Sequence, residues 1–89
     1  MGTVAIKIKI MPESPDTNLR ELQEKVSKKL KELGGIINSV EEEPIAFGLN
    51  AIYFTIARDE EKDTEILETE LEKIEGVSSS KIVDYRRLL

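Results

Sequence analysis

The chain has 89 residues, 13 of them basic and 18 acidic, which gives a formal net charge of −5 at neutral pH. This length predicts one domain with a modest core, spanning residues 1–89, and the negative charge disfavours a phosphate backbone as the main partner. The chain contains neither His nor Cys, which excludes imidazole and thiolate chemistry, metal sites built on those ligands, and disulfides.

The amino-terminal segment argues against a membrane or secretory destination. Its apolar run, Val4–Ile10, is interrupted by Lys7 and Lys9 and is far too short to span a bilayer. It also lacks the layout of a signal peptide. We therefore expect a cytoplasmic protein.

The first 35 residues predict a strand followed by a helix. Apolar residues alternate with Ala or Lys over Val4–Ile10, which is the period of a strand with one buried face. Two prolines stop the strand within residues 11–16, and Asp16 or Asn18 is placed to cap the helix that follows. Gly34-Gly35 is expected to end this helix. Its apolar stripe recurs at three- and four-residue steps and consists of Leu19, Leu22, Val26, Leu30 and Leu33.

The second half of the chain predicts two strands, a shorter helix and a last strand. Their expected bounds are residues 36–42, 49–57, 63–76 and 77–88. The segment Arg58–Lys62 is expected to be a polar loop. Asp63 is placed to cap the helix and Gly76 to end it. Its inward-facing residues are expected to be Leu67, Leu71 and Ile74, with help from Ile66.

An apolar segment, Pro44–Leu49, lies between the two central strands and directly follows three acidic residues. Pro44 cannot donate a ladder hydrogen bond, and Gly48 tolerates φ values that other residues avoid. The segment is therefore expected to be a hairpin turn that presents Ile45 and Phe47 to solvent. Exposed apolar patches commonly mark interaction sites. The alternative is a turn that packs beneath a neighbouring loop.

A second unusual segment, Asp84-Tyr85-Arg86-Arg87-Leu88-Leu89, is a basic ending on an acidic chain. Its two arginines are either partner contacts or ordinary solubilising residues at a chain end. Together with the apolar turn, this ending favours a binding module.

The element order, strand-helix-strand-strand-helix-strand, fits two split units with right-handed crossovers. We therefore expect an α+β fold, a ferredoxin-like βαββαβ sandwich in which a four-stranded antiparallel sheet carries two helices on one face. In this topology the apolar turn and the basic ending lie at opposite ends of the sheet, roughly 25 Å apart at about 3.3 Å per residue. A partner that contacts both must be large.

The remaining polar clusters predict no catalytic or metal site. Glu41–Glu43 and Asp59–Asp63 lack the spacing of a calcium loop and are expected to be solvated. The run Ser78–Ser80 has no nearby base to activate a hydroxyl.

Three segments of the chain resemble archaeal translation elongation factor 1-beta, and they occur in the same order: Met11–Asp16, Glu43–Leu49 and Val83–Leu88. The second also resembles the exchange domain of the eukaryotic factor, in whose turn an aromatic residue precedes glycine, as Phe47 precedes Gly48. The resemblance implies a guanine nucleotide exchange factor, without covalent chemistry, that drives GDP off elongation factor 1-alpha and allows GTP to bind.

The same resemblance implies how the partner is contacted. In relatives the aromatic turn docks on the second domain of the GTPase, and a basic residue near the carboxyl end reaches the magnesium and phosphate region of the first. Phe47 matches the first role and Arg87 the second. The eukaryotic pattern has Lys followed by one apolar residue, whereas Leu88 and Leu89 follow Arg87 here, so the choice between Arg86 and Arg87 stays open. The implied partner-binding residues are Pro44, Ile45, Phe47, Gly48, Tyr85, Arg86 and Arg87.

The resemblance implies no cofactor, no direct contact with nucleic acid and no membrane, and we expect a monomer when the protein is free.

Three other functions remain as alternatives. An acylphosphatase-like enzyme would need a phosphate-cradling glycine loop, but residues 11–16 are acidic and lack glycine. An RNA-binding sheet would stack bases on Tyr53 and on Tyr85 or Phe47, against the charge of the chain. A small-ligand regulatory domain could hold its ligand through backbone groups.

Overall fold

The computed structural model describes residues 2–88, whose elements follow in the predicted order. Their bounds are β1 Thr3–Pro12, α1 Leu19–Glu32, β2 Ile36–Ala46, β3 Leu49–Asp59, α2 Glu65–Glu72 and β4 Val77–Leu88. The strands form one antiparallel sheet in the order β2-β3-β1-β4. The α+β, ferredoxin-like fold is thereby confirmed, with β2 and β4 as the edge strands.

The core lies between one face of this sheet and both helices. The alternating apolar residues of β1 pair with those of β3, so that Ile6 faces Ile56 and Ile8 faces Phe54. Burying each such side chain contributes about 1.5–3 kcal/mol before the entropy of ordering the chain is subtracted. The buried core consists of Val4, Ile6, Ile8, Ile10, Leu22, Val26, Leu30, Ile52, Phe54, Ile56, Leu67, Leu71 and Val77.

Helix α1 begins and ends as its sequence predicts. Asn18 is the N-cap, and its Oδ1 accepts a hydrogen bond from the Glu21 N–H at 3.2 Å. Lys29 and Lys31 lie in the last turn, where positive charge interacts favourably with the helix dipole. Within residues 2–88, neither helix is long and apolar enough to cross a bilayer.

Helix α2 is shorter than predicted, because it ends at Glu72 rather than at Gly76. Asp63 accepts a hydrogen bond from the Glu65 N–H at 2.9 Å, although Thr64 occupies the N-cap position. The inward orientation predicted for Ile66 is wrong, since Ile66 is 38% exposed. Successive residues on a helix are about 100° apart, so the turn that buries Leu67 carries Ile66 to the side.

Arg58 belongs to β3 and is buried, so the polar loop predicted to begin there starts too early. Its Nε donates to the Leu33 carbonyl at 2.9 Å, and its Nη1 donates to the Asp63 carbonyl at 2.9 Å. Burial lowers the pKa of the Arg58 guanidinium, and the nearby Asp63 carboxylate offsets part of that shift. The side chain thereby ties the end of α1 to the segment that precedes α2.

The hairpin turn is also narrower than predicted and consists of Phe47 and Gly48 alone. Pro44, Ile45 and Ala46 belong to β2, where an edge strand tolerates proline and a register shift leaves Ile45 as a bulge. Phe47 and Gly48 have φ values of 54° and 77°. Positive φ at both central residues is the type I′ geometry that matches the twist of a two-residue hairpin. Glycine adopts it freely, whereas a bulky residue such as Phe47 is strained there.

Arg58→Ala should lower the free energy of unfolding by about 3 kcal/mol, because two carbonyls lose a charged donor in a poorly hydrated site. Urea unfolding followed by circular dichroism measures this. The control is Arg20→Ala on the exposed face of α1, which should stay within about 0.5 kcal/mol of the parent. Equal losses in the free energy of unfolding for the two variants would contradict the role of Arg58 in connecting the end of α1 to the segment that precedes α2.

Phe47→Asn should raise the free energy of unfolding by about 1 kcal/mol, because Asn tolerates positive φ and Asn-Gly is favoured in type I′ turns. Little packing is lost, since Phe47 is 93% exposed. Phe47→Ala is the matched control: it removes the same ring but leaves a residue that disfavours this geometry. The strain at Phe47 would be disproved if the Asn variant were no more stable than the Ala variant.

Candidate functional site

The register of the sheet places the two segments singled out from the sequence at opposite ends. Strand β1 begins where Thr3 pairs with Leu88, and this is the tail end of the molecule. Its other end lies beside the β2–β3 turn, and this is the turn end. Arg58 and Arg87 both pair with Val4, so they lie at the same level of the sheet. From Gly48 in the turn to Arg58, the chain covers about 33 Å at about 3.3 Å per residue. The roughly 25 Å expected from the sequence is too short because β3 continues to Asp59.

At the turn end, Phe47 protrudes into solvent with 93% of its surface exposed, and Ile45 is 41% exposed. The prediction that both face solvent is therefore confirmed. The loop between β1 and α1 approaches the turn at Gly48, where an added Cβ would lie 3.5 Å from the Pro15 Cβ. The alternative in which the turn packs beneath a neighbouring loop is wrong for Phe47.

The backbone of Phe47 is held in place by the paired residues on either side of the turn. Ala46 pairs with Leu49 directly on either side of the turn, and Pro44 pairs with Asn50 below it. Strained backbone of this kind persists where the surrounding structure enforces it, often at ligand contacts. The turn end therefore exposes the Phe47 ring on a defined backbone, with Pro44, Ile45 and Gly48 around it.

At the tail end, a bulge decides which way each side chain of β4 points. Lys7 pairs with Asp84 whereas the next residue of β1, Ile8, pairs with Ile82, so Val83 is the extra residue of a bulge. Beyond it the alternation of faces is reversed.

Residues directly opposite one another in an antiparallel pair share a face of the sheet. Arg87 pairs with the buried Val4 and therefore lies on the face that carries the helices. Arg86 pairs with Ala5 and lies on the open face. Tyr85 pairs with Ile6 and so shares the face of Arg87, although it is 48% exposed. The two arginines are thus not interchangeable, and a flat surface laid against one face of the sheet would meet only one of them.

Each tail arginine is paired with a carboxylate, so the positive charge of this basic ending is compensated within the protein. Arg86 Nε lies 3.0 Å from Asp84 Oδ2, and Arg87 Nε lies 2.9 Å from Glu60 Oε2. The two guanidinium side chains are 77% and 75% exposed. Such exposed pairs contribute about 0–1 kcal/mol, so a more highly charged anion is able to replace either carboxylate.

The sequence does not predict the contact of Glu60 with Arg87. Glu60 lies in the acidic segment Asp59–Asp63, which is expected to be solvated. Within residues 2–88, no three acidic side chains converge in a way that could hold a metal ion.

The three aromatic residues that an RNA-binding sheet would need lie in separate places. Phe47 is at the turn end, Tyr85 is on the helix-bearing face, and Tyr53 pairs with Lys9 on the open face. The Lys7 ammonium lies 5.0 Å from the centre of the Tyr53 ring. The described residues therefore do not assemble a stacking platform.

Comparisons with known proteins match the residues at both the turn end and the tail end of the sheet. The family model described as the EF-1 guanine nucleotide exchange domain matches residues 5–88. An elongation factor 1-beta of Methanosarcina barkeri is 47% identical, covering 99% of this chain and 100% of the relative. One of Methanothermobacter thermautotrophicus is 43% identical over 100% of both chains, and one of Methanocaldococcus jannaschii is 44% identical over 94% of this chain and 96% of the relative.

These similarities extend over nearly the whole chain, and they confirm the resemblance seen in three short segments. The chain belongs to the EF-1 guanine nucleotide exchange domain family.

Proposed function

We propose that this protein is a guanine nucleotide exchange factor of translation elongation that promotes GDP release and GTP rebinding on elongation factor 1-alpha. Membership of the exchange-domain family supports the exchange role. The observation that carries the mechanism is the placement of an exposed aromatic residue and a basic segment about 33 Å apart on one rigid sheet. That span suits a GTPase with more than one domain.

The first contact in this proposal is made by Phe47. Its ring enters an apolar pocket on the second domain of the GTPase, and Ile45 adds apolar area beside it. Because the paired hairpin already fixes the backbone of Phe47, only the side-chain rotamer remains to be ordered on docking. This contact supplies affinity and sets the position of the tail end.

The second contact is made by a tail arginine at the nucleotide site of the partner, and we assign this role to Arg87. Helix α2 covers β4 only as far as its middle, where Glu68 accepts a hydrogen bond from the Ile82 N–H at 2.8 Å. Arg87 lies beyond that cover and is largely exposed. Its charge competes with magnesium for the diphosphate and loosens the nucleotide.

Exchange then follows from linkage without a covalent step. A protein that binds the nucleotide-free GTPase more tightly than the loaded one lowers the affinity for nucleotide, and nucleotide in turn lowers the affinity for the protein. GTP binding therefore releases the factor for another cycle. The magnesium and the nucleotide belong to the partner, and the factor contributes no cofactor.

We expect the free protein to be a monomer of the cytoplasm, where elongation takes place. In a symmetric pairing of two β2 edges, the exposed acids Glu41–Glu43 of both copies would be brought together, which disfavours that dimer. The net charge of −5 opposes direct binding to RNA.

The experiment that tests the proposal is release of a fluorescent GDP from elongation factor 1-alpha of the same source, followed by stopped flow with excess unlabelled nucleotide. We expect a release rate that rises with factor concentration and saturates. Release that stays at its spontaneous rate would overturn the proposal.

Phe47→Ala is expected to weaken docking by about 2 kcal/mol, the loss typical of a buried aromatic anchor, and thus to raise the half-saturating concentration about 30-fold. The maximal release rate should change little, because the tail is intact. Ile66→Ala is the control, since Ile66 is an exposed apolar residue on α2. A normal half-saturating concentration for Phe47→Ala would rule out the anchor.

Arg87→Ala is expected to lower the maximal release rate about tenfold or more, because an interaction made only while the nucleotide leaves is lost. The half-saturating concentration should stay within about threefold of the parent. Arg20→Ala removes a similar exposed charge elsewhere and serves as control. If Arg86→Ala slowed release and Arg87→Ala did not, the assignment of the two arginines would be reversed.

A further inference from the structure

The loop that carries Glu60 is held firmly against the tail end of the sheet. The Glu60 N–H donates to the Gly2 carbonyl at 3.0 Å, and the Lys62 N–H donates to the Asp59 carbonyl at 3.2 Å. Arg58 secures the far side of the loop through its bond to the Asp63 carbonyl. The backbone of Glu60 is therefore fixed relative to β1 and β4.

The carboxylate of Glu60 is also confined. It lies directly over Gly2, where an added Cβ would come within 2.5 Å of Oε1 and 2.8 Å of the carboxyl carbon. Oε2 has no exposed surface, and within residues 2–88 no donor reaches it with hydrogen-bond geometry. The Arg87 Nε at 2.9 Å is the charge that compensates it.

Arg87, in contrast, has little else to restrain it. It lies near the end of an edge strand, and its side chain is 75% exposed. A long side chain in such a place populates many rotamers unless one is selected. Its ion pair with a fixed carboxylate supplies that selection.

The pair of Arg86 with Asp84 is different in kind. Those two residues lie two positions apart on β4, and both are exposed, with 77% and 46% of their side chains accessible. Glu60 comes from another loop and is only 22% accessible. Of the two tail arginines, Arg87 alone has an acceptor that comes from another segment of the fold.

We infer that Glu60 is a positioning residue for Arg87: it orients the guanidinium in the free protein and yields it to the phosphates of the partner's nucleotide on docking. This inference rests on the proposed function. An ion pair whose cation is this exposed is weak, so the diphosphate outcompetes the carboxylate and Glu60 orients Arg87 without trapping it.

The first test is made on the free protein by NMR, through the order of the Arg87 side-chain Nε–H. Glu60→Gln keeps the size of the side chain but removes its charge, and it should leave Arg87 disordered. Asp84→Asn is the matched control and should leave Arg87 ordered. Gly2→Ala keeps the charge but displaces the carboxylate, and it should act like Glu60→Gln. An Arg87 that stays ordered in Glu60→Gln would overturn the inference.

The second test is the release of fluorescent GDP. Glu60→Gln should lower the maximal rate by up to about fivefold, the contribution of a pair of this exposure, with an unchanged half-saturating concentration. In the Arg87→Ala background the same substitution should have no effect. A faster rate in Glu60→Gln, or an equal loss in the Arg87→Ala background, would overturn the inference.

The two tests separate this inference from the proposed function. If the parent protein does not accelerate GDP release, the proposed exchange function fails, whereas the order of Arg87 in the free protein still reports on Glu60. If the parent accelerates release but Glu60→Gln leaves both Arg87 order and the rate unchanged, the positioning role alone fails.

Discussion

The pairing of β1 with both β3 and β4 is the constraint on which the rest of the structure depends. Its alternating apolar residues are buried against the helices, and a slip of one residue would carry all of them to solvent. The register is therefore strongly specified, and it determines which residues meet at each end of the sheet. The apolar turn and the basic tail are separated by about 33 Å because β3 and β4 both run antiparallel to β1 along its whole length.

The two ends of the sheet differ in the interactions that hold their exposed side chains. At the turn end, a bulky residue occupies a backbone conformation that favours glycine or asparagine, and its ring gains no burial in exchange. The hairpin is therefore less stable than it would be with a residue that favours positive φ at position 47. Such a loss is expected if the Phe47 ring is buried only in a complex. At the tail end, Arg86 and Arg87 are largely exposed, and each lies beside a carboxylate in an ion pair that contributes about 0–1 kcal/mol.

These differences fit the two tasks that an exchange factor performs. In the proposed mechanism, docking requires a contact that persists until the nucleotide has left, and the exposed Phe47 is suited to supply it. In the same mechanism, displacement of the nucleotide requires a charge that is held ready and is easily released, and the exposed Arg87 beside Glu60 suits both conditions. Arg58 connects the tail end to the core, since it joins the loop that carries Glu60 to the end of α1.

The sequence alone was enough to predict the element order, the fold class and the bounds of β4, because alternation is a local pattern. For the cap of α1 it left Asp16 and Asn18 open, and the structure shows Asn18. The sequence also predicted the exposed Phe47. Tertiary contacts alone determined the burial of Arg58, the bulge at Val83 that decides which of Arg86 and Arg87 lies on the helix-bearing face, and the contact between Glu60 and Arg87. The physical reason is that one extra residue in a strand reverses every side chain beyond it, and where that residue falls depends on a partner strand distant in the chain.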